Sequence, residues 1–353
     1  MSSLSAALIP WHAAHGRHDL PWQRERTPYR VWISEIMLQQ TQVATVIGYY
    51  QRFVQRFPDV AALAAAPLDE VLHLWSGLGY YSRARNLHRA AQRLVSEFGA
   101  ELPEAREQLA QLPGIGRSTA AAILALARGR RETILDGNVR RVLARYFAID
   151  GALGEAATER ELWARAEQCT PATEVAVYTQ AVMDLGATLC TRARPRCPEC
   201  PLRGDCAAHR AGRVALLPTP RARAARRTRT ILMLLAWREE GAGAQAAMLL
   251  RRRPAHGVWG GLWTPPEFDA VRAAEAFCAA ELTNARLEPT PLPVVRHAFT
   301  HFDLEITPWR ARCEGLTGVE EPGLLWYNPR QPARIGVPAP IATLLSTPGQ
   351  EYP

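Results

Sequence analysis

The chain contains no lysine. All 42 of its basic side chains are arginine, so lysine-based Schiff-base chemistry is excluded outright. It also lacks any run approaching the roughly 20 apolar residues that a membrane helix needs. The opening, MSSLSAALIPWHAAHGRHD, has no long apolar core of the kind a secretory signal carries. A cytoplasmic protein without a membrane partner is the expectation. The seven cysteines are odd in number, which without a secretory signal argues against a disulfide framework. What remains is a basic chain of 353 residues with a net charge of +8. That length suits two domains with separate cores, and the charge favours a polyanionic partner.

The most informative stretch runs from Gln111 to Arg141. Leu112-Pro113-Gly114-Ile115-Gly116 separates two helical patterns. Pro113 stops the first, and Gly114 and Gly116 supply backbone freedom for a tight turn. The second helix opens at Arg117-Ser118-Thr119, where unpaired amides and the positive helix end suit a phosphate. Asp136 follows, just before Gly137 and a helix from Asn138 to Tyr146. Taken singly, Asp136 is as readily an N-cap and LPGIG an ordinary helix–helix turn.

Upstream, a short helix is expected over residues 4–15, and a second from about Tyr29 to Thr41, with Pro28 in its first turn. In VWISEIMLQQTQV, Glu35, Gln39 and Gln42 share a polar face while Trp32, Ile36 and Val43 can pack inward. Periodicity alone reads that face as solvated. Four neutral hydrogen-bonding side chains, Gln39 to Gln42, soon after a glutamate nevertheless suit base edges better than phosphates. A second glycine-rich loop, Leu74 to Arg85, carries Tyr80 and Tyr81 with arginines at its exit. These tyrosines suit either the core or a wedge that enters a base stack.

Cys190, Cys197, Cys200 and Cys206 follow the spacing C-x6-C-x2-C-x5-C. Four close thiolates imply a metal centre, and the spacing alone leaves zinc and an iron–sulfur cluster both open. An Arg- and Pro-rich linker over 210–229 marks a boundary. Beyond it, Thr230–Trp237 reads as a buried strand and Met248–Arg252 as a second, with a glycine turn at Gly241 and Gly243 between them. A helix over Ala270–Leu282 and strands over Leu292–Ala298 and Phe302–Arg312 complete the pattern.

WISEIMLQQTQV, LPGIG and LDGNV in this order resemble the helix-hairpin-helix DNA glycosylases, the superfamily that includes endonuclease III, and within it the adenine-specific MutY type. The resemblance implies a mainly α N-terminal glycosylase domain over 1–209, with a cysteine-rich cluster loop at 190–206. The linker would cover 210–229, an α+β Nudix-like domain 230–345 and a tail 346–353. It also implies a monofunctional hydrolase of base excision repair, acting as a monomer on double-stranded DNA that holds adenine opposite 8-oxoguanine or guanine. Glu35 would protonate the leaving adenine and Asp136, with Asn138 beside it, would stabilise the sugar cation. Trp22 and Gln180 would hold the base. Ser118 stands where strand-cleaving members carry a lysine. Gln40 and Thr41 would meet the DNA beside the orphaned base, Tyr81 would act as the wedge, and Gly114 and Gly116 would hold the backbone. The four cysteines would carry one [4Fe–4S] cluster. RRPAHGVWGGLWTPPE resembles the opening of a Nudix domain, but FDAVRAAEAFCAAEL lacks the Glu-rich magnesium stretch, so a recognition module is expected. Its reader would be Phe299-Thr300-His301, similar to a Phe-Ser-His loop of the family. A nucleotide pyrophosphatase, a non-catalytic damage-binding protein and a glycosylase of another base preference stand as the alternatives.

Overall fold

The computed structural model describes residues 2–220, 225–238, 247–318 and 322–346. The expected Gly241/Gly243 turn and nearly all of the tail lie outside these residues. The chain divides into two compact units: Met1–Ala65 with Asn86–Arg223, and Ala66–Arg85 with Ala224–Pro353. The stretch 66–85, which sequence reasoning assigns to the helical domain, is grouped with the second unit.

The first unit is helical. Ser2 caps its opening helix, Ser3–His15, by accepting the Ser5 amide on its hydroxyl. Thr27 does the same for the helix Pro28–Leu38, accepting the Arg30 amide at 3.2 Å with Pro28 in the first turn. That helix buries Trp32, Ile33, Ile36 and Met37 and packs on the helix Arg117–Arg128. The latter buries its run AAAILAL, whose small side chains let the two axes approach closely. The Glu35 helix ends at Leu38 and not at Thr41, because Gln40 adopts a left-handed φ of 59°. Gln42 becomes the N-cap of the next helix, Val43–Arg56, so Glu35, Gln39 and Gln42 do not share one helical face.

Two further helices build the floor of the site. Gly137–Tyr146 packs on Val175–Thr188, and Gly186 makes the approach possible. A Cβ there would lie 2.6 Å from the Asn138 Cβ and 3.1 Å from its Cα and O.

The second unit holds a mixed sheet in the order Leu324–Tyr327, Ala247–Arg252, Arg227–Arg238, Phe302–Cys313, Arg286–Leu287. Arg227–Arg238 and Phe302–Cys313 run parallel over twelve pairs, from Arg227↔Phe302 to Arg238↔Cys313. Ile231–Trp237 is buried throughout, as expected for a central strand covered on both faces. Cys278, from the helix Val271–Glu281, joins Leu234, Ala236, Leu249 and Ala311 in a core cluster. The strand expected from Leu292 begins only at Val295; Pro293 has no N–H to give to a ladder. Among the described residues, no helix is long and apolar enough to cross a membrane.

Candidate active site

One cavity in the first unit, of about 650 Å³, gathers most of the residues singled out above. Trp22, Glu35, Gln40, Thr41, Ser118, Asp136, Asn138 and Gln180 all line it. They come from five separate segments, and local capping explains how several are aimed. Asp136 is the N-cap of the helix Gly137–Tyr146, with its Oδ1 accepting the Val139 amide at 2.8 Å. Asp136 thus caps the helix and lines the cavity at once. Ser118 Oγ accepts the Leu135 amide at 3.0 Å, which pins the segment leading into Asp136. Trp22 is buried with its ring edge-on to Tyr50 at 5.4 Å. Gln180 is buried and donates from Nε2 to Asp184 Oδ1 at 2.9 Å.

The two carboxyls in the cavity differ in their surroundings. Burial first, and the negative charge of Asp136 second, push the Glu35 carboxyl up to about 8. It is therefore protonated at neutral pH. Asp136 is also raised by burial, while the Val139 amide and the charges of Arg141 and Arg140 pull it partly back. The negative charge of Asp136 helps to keep the proton on Glu35. Such a split pair is the usual arrangement of an acid and an electrostatic stabiliser.

Glycine is needed at Gly114, where φ is +80° and a Cβ would meet the Asn86 Cβ at 2.9 Å. Gly116 differs: its backbone is extended, with φ −90° and ψ 175°, and nothing lies within 4 Å of a built Cβ. It leaves the start of the helix open rather than providing an unusual turn. Arg117, next in the chain, lies over the Trp163 ring at 3.7 Å.

In the second unit, Tyr81 is corrected as the wedge. It is buried at 8% exposure; its hydroxyl accepts from the Gly77 amide and donates to the Val337 carbonyl, both at 3.2 Å. Entering a base stack would break both bonds. Tyr80 is the exposed ring, at 45%, on a left-handed φ of 49°. Its hydroxyl lies 3.3 Å from that of Thr300. Phe299 stacks on Phe302 at 4.7 Å and meets His297 edge-on at 4.6 Å, and His301 is exposed. Glycines 77 and 79, both tyrosines, Phe299 and Thr300 line a cavity of about 370 Å³ within this unit.

All four loop cysteines are unpaired and partly buried. Burial and the charges of Cys190, Cys206 and Cys197 push the Cys200 thiol up to about 11, so the four thiols lie within electrostatic reach of one another. Among the described residues, no three His, Cys, Asp or Glu side chains converge tightly enough for a single metal ion. By donor chemistry, four thiols on one loop fit a single tetrahedral ion or an iron–sulfur cluster alike. The loop is well supported for such a load. The buried Arg145 donates to Cys190 Sγ at 3.3 Å and to the carbonyls of Thr191, Arg192 and Leu217. Arg141 ties the Cys190 carbonyl to the Asn138 Oδ1, each at 2.8 Å.

Comparison with known proteins gives the family of the chain. A model of the HhH-GPD superfamily of base excision DNA repair proteins matches residues 33–168, and a NUDIX domain model matches residues 238–347. The adenine DNA glycosylase of Buchnera aphidicola subsp. Acyrthosiphon pisum (strain APS) is 35% identical over 347 residues, covering 97% of this chain and 96% of that protein. The adenine DNA glycosylase of Homo sapiens is 33% identical, over 93% of this chain and 70% of its own length. The chain belongs to the adenine DNA glycosylase family. Among solved structures, a thermostable thymine-DNA glycosylase matches with a TM-score of 0.53 at 26% identity, over 59% of this chain and 95% of that one. A non-covalent endonuclease III–DNA complex matches with a TM-score of 0.51 at 22% identity, over 60% of this chain and 99% of that one, which carries the fold alone.

Set within that family, the cavity also holds residues that sequence reasoning passed over. Arg17 and Arg140 line it. Arg140 is clamped on Glu159, with Nε 3.0 Å from both carboxylate oxygens. Arg17 binds Asp184 across 167 residues of chain, a contact with no local signal. Arg140 could have been noticed, since it directly follows LDGNV.

Proposed function

We infer that this chain is an adenine DNA glycosylase of base excision repair, which hydrolyses the N-glycosidic bond of adenine paired with 8-oxoguanine or guanine and leaves an abasic site. The observation that carries the reading is the carboxyl pair: Glu35, raised to about 8 by its burial and by Asp136, in a cavity with Gln180 and Trp22. Adenine leaves poorly as an anion, so an acid must protonate it as the bond breaks. Glu35 holds that proton at neutral pH. The positive charge then growing on the sugar needs a carboxylate, and Asp136 supplies it. That cation would in turn draw the Asp136 pKa down during the reaction. Asn138 follows Asp136 on the same capped turn, Trp22 walls the base pocket, and Ser118 holds the segment before Asp136. Water completes the hydrolysis.

Gly114 and the open start of the helix at Gly116 suit the DNA backbone, and Gln40 and Thr41 suit the strand opposite the adenine. Tyr80, exposed on its glycine loop, replaces Tyr81 as the wedge. Phe299, Thr300 and His301 form the reader of 8-oxoguanine, in a domain assigned to 230–345 beyond a linker at 210–229. Cys190, Cys197, Cys200 and Cys206 would hold a [4Fe–4S] cluster, which supplies a structural tie for an arginine-rich loop. The protein acts as a monomer.

The test is a labelled duplex with one adenine opposite 8-oxoguanine, split after incubation and treated with or without alkali. Breakage at the adenine only after alkali is expected. No lysine exists to open the sugar, so borohydride should trap no lysine-linked adduct. Breakage without alkali would contradict the mechanism, and no breakage in either half would favour a damage-binding protein.

A further inference from the structure

The helix that carries Gln180 also carries Asp184, one turn further on and fully buried at 0% exposure. The mechanism above does not use it. Its oxygens are crowded with donors. Oδ2 accepts the Arg17 backbone N–H at 2.8 Å. Oδ1 accepts from Arg17 Nε at 3.0 Å, from Arg17 Nη2 at 2.6 Å and from Gln180 Nε2 at 2.9 Å. His12 Nε2 lies 3.4 Å from Oδ2. Burial alone would raise the Asp184 pKa, but the neighbouring His12 ring and the charge and hydrogen bonds of Arg17 overcome it and hold the group below its ordinary value. Asp184 is therefore a carboxylate, and a carboxylate only accepts.

An acceptor-only neighbour dictates which way a carboxamide lies. Gln180 has a donating and an accepting end of nearly the same shape. With Nε2 committed to Asp184, Oε1 is the end left for the cavity that Gln180 lines. We infer that Asp184, itself held by Arg17, is a positioning residue that sets the polarity of the Gln180 amide, so that an acceptor and not a donor faces the base. This rests on the adenine reading above and deepens it. In adenine, N7 accepts and the N6 amino group donates, whereas a purine with oxygen at C6 presents two acceptors on the same edge. Protonated Glu35 donates to N7, and Gln180 Oε1 accepts from N6. Hypoxanthine would set its O6 against Oε1 with no proton between them. The pair thus selects 6-amino over 6-oxo purines.

The test uses the full chain and its isosteric variant Asp184→Asn. The Arg17 backbone N–H is fixed, whereas its side chain is 26% exposed and can turn to solvent. The oxygen of the new amide therefore keeps the backbone N–H, and its NH2 group faces Gln180. Gln180 must then turn over and present Nε2 to the base. Single-turnover release of adenine and of hypoxanthine, each opposite 8-oxoguanine, is measured alongside a thermal melt. Wild type should favour adenine, and Asp184→Asn should raise the hypoxanthine-to-adenine ratio about tenfold, the scale of one hydrogen bond. A purely structural role would lower both rates together and leave the ratio unchanged, which overturns the inference. Should the variant melt far below wild type, Gln180→Met decides, because it keeps the Asp184–Arg17 pair. A raised ratio there supports the inference and an unchanged one overturns it. Wild type that releases both bases alike overturns the inference alone; wild type that releases neither defeats the glycosylase reading, and the inference with it.

Discussion

Replacing Glu35 with glutamine should inactivate the protein and make it more stable. The cavity holds the Glu35 carboxyl at about 8 instead of 4.5, through burial first and the Asp136 charge second. The unfolded chain gives up this proton near the lower value and the folded chain near the higher one. The fold is therefore unpenalised below 4.5, loses stability as pH rises between the two values, and loses no more above 8. With about 1.4 kcal/mol per pKa unit, the penalty comes to about 1 kcal/mol near pH 5 and about 3 kcal/mol near pH 7. Glutamine fills the same space and never ionises, so it removes the penalty. Urea unfolding of both proteins at these two pH values measures the effect. The variant should gain about 2 kcal/mol on wild type between them. A stability difference that stays constant with pH would refute the reasoning, because it would mean that Glu35 ionises alike in the folded and unfolded chains.

Gly186→Ala should push the Asn138 backbone away from its packed position, since a Cβ there lies 2.6 Å from the Asn138 Cβ. Overpacking of this kind costs roughly 1–3 kcal/mol, and adenine release should fall with it; a thermal melt and a single-turnover rate check both. Tyr80→Ala should weaken binding to a duplex by anisotropy without moving the melting temperature, because the ring is 45% exposed. Tyr81→Phe should do the reverse, losing about 1 kcal/mol of stability with its two hydrogen bonds.

Much of the architecture was legible because its signals are local. The apolar run of Ile231–Trp237, the helix after LPGIG and the strand–helix alternation beyond residue 230 each depend on neighbouring residues, and the family fold follows from them. Glu35, Asp136 and Gln180 could be singled out from motifs, and the fold brings them to one cavity. Other features depend on what lies across the fold. Nothing in GYY tells which tyrosine packs; the left-handed turn at Tyr80 decides it. The raised pKa of Asp136 comes from burial that a sequence does not display. Arg17 and Asp184 meet across 167 residues, and the grouping of 66–85 with the second unit rests on contacts equally distant in the chain.

In the proposed mechanism a buried, protonated Glu35 drives the loss of adenine. The most direct measurement is kcat/KM for adenine release against pH, which reports the ionisations of the free enzyme. The rate should hold through neutral pH and fall as pH rises through about 8, and Glu35→Gln should lose roughly 10²–10⁴-fold in rate together with this alkaline limb. A profile that stays flat well above pH 8, or a Glu35→Gln variant that releases adenine at the wild-type rate, would contradict the account.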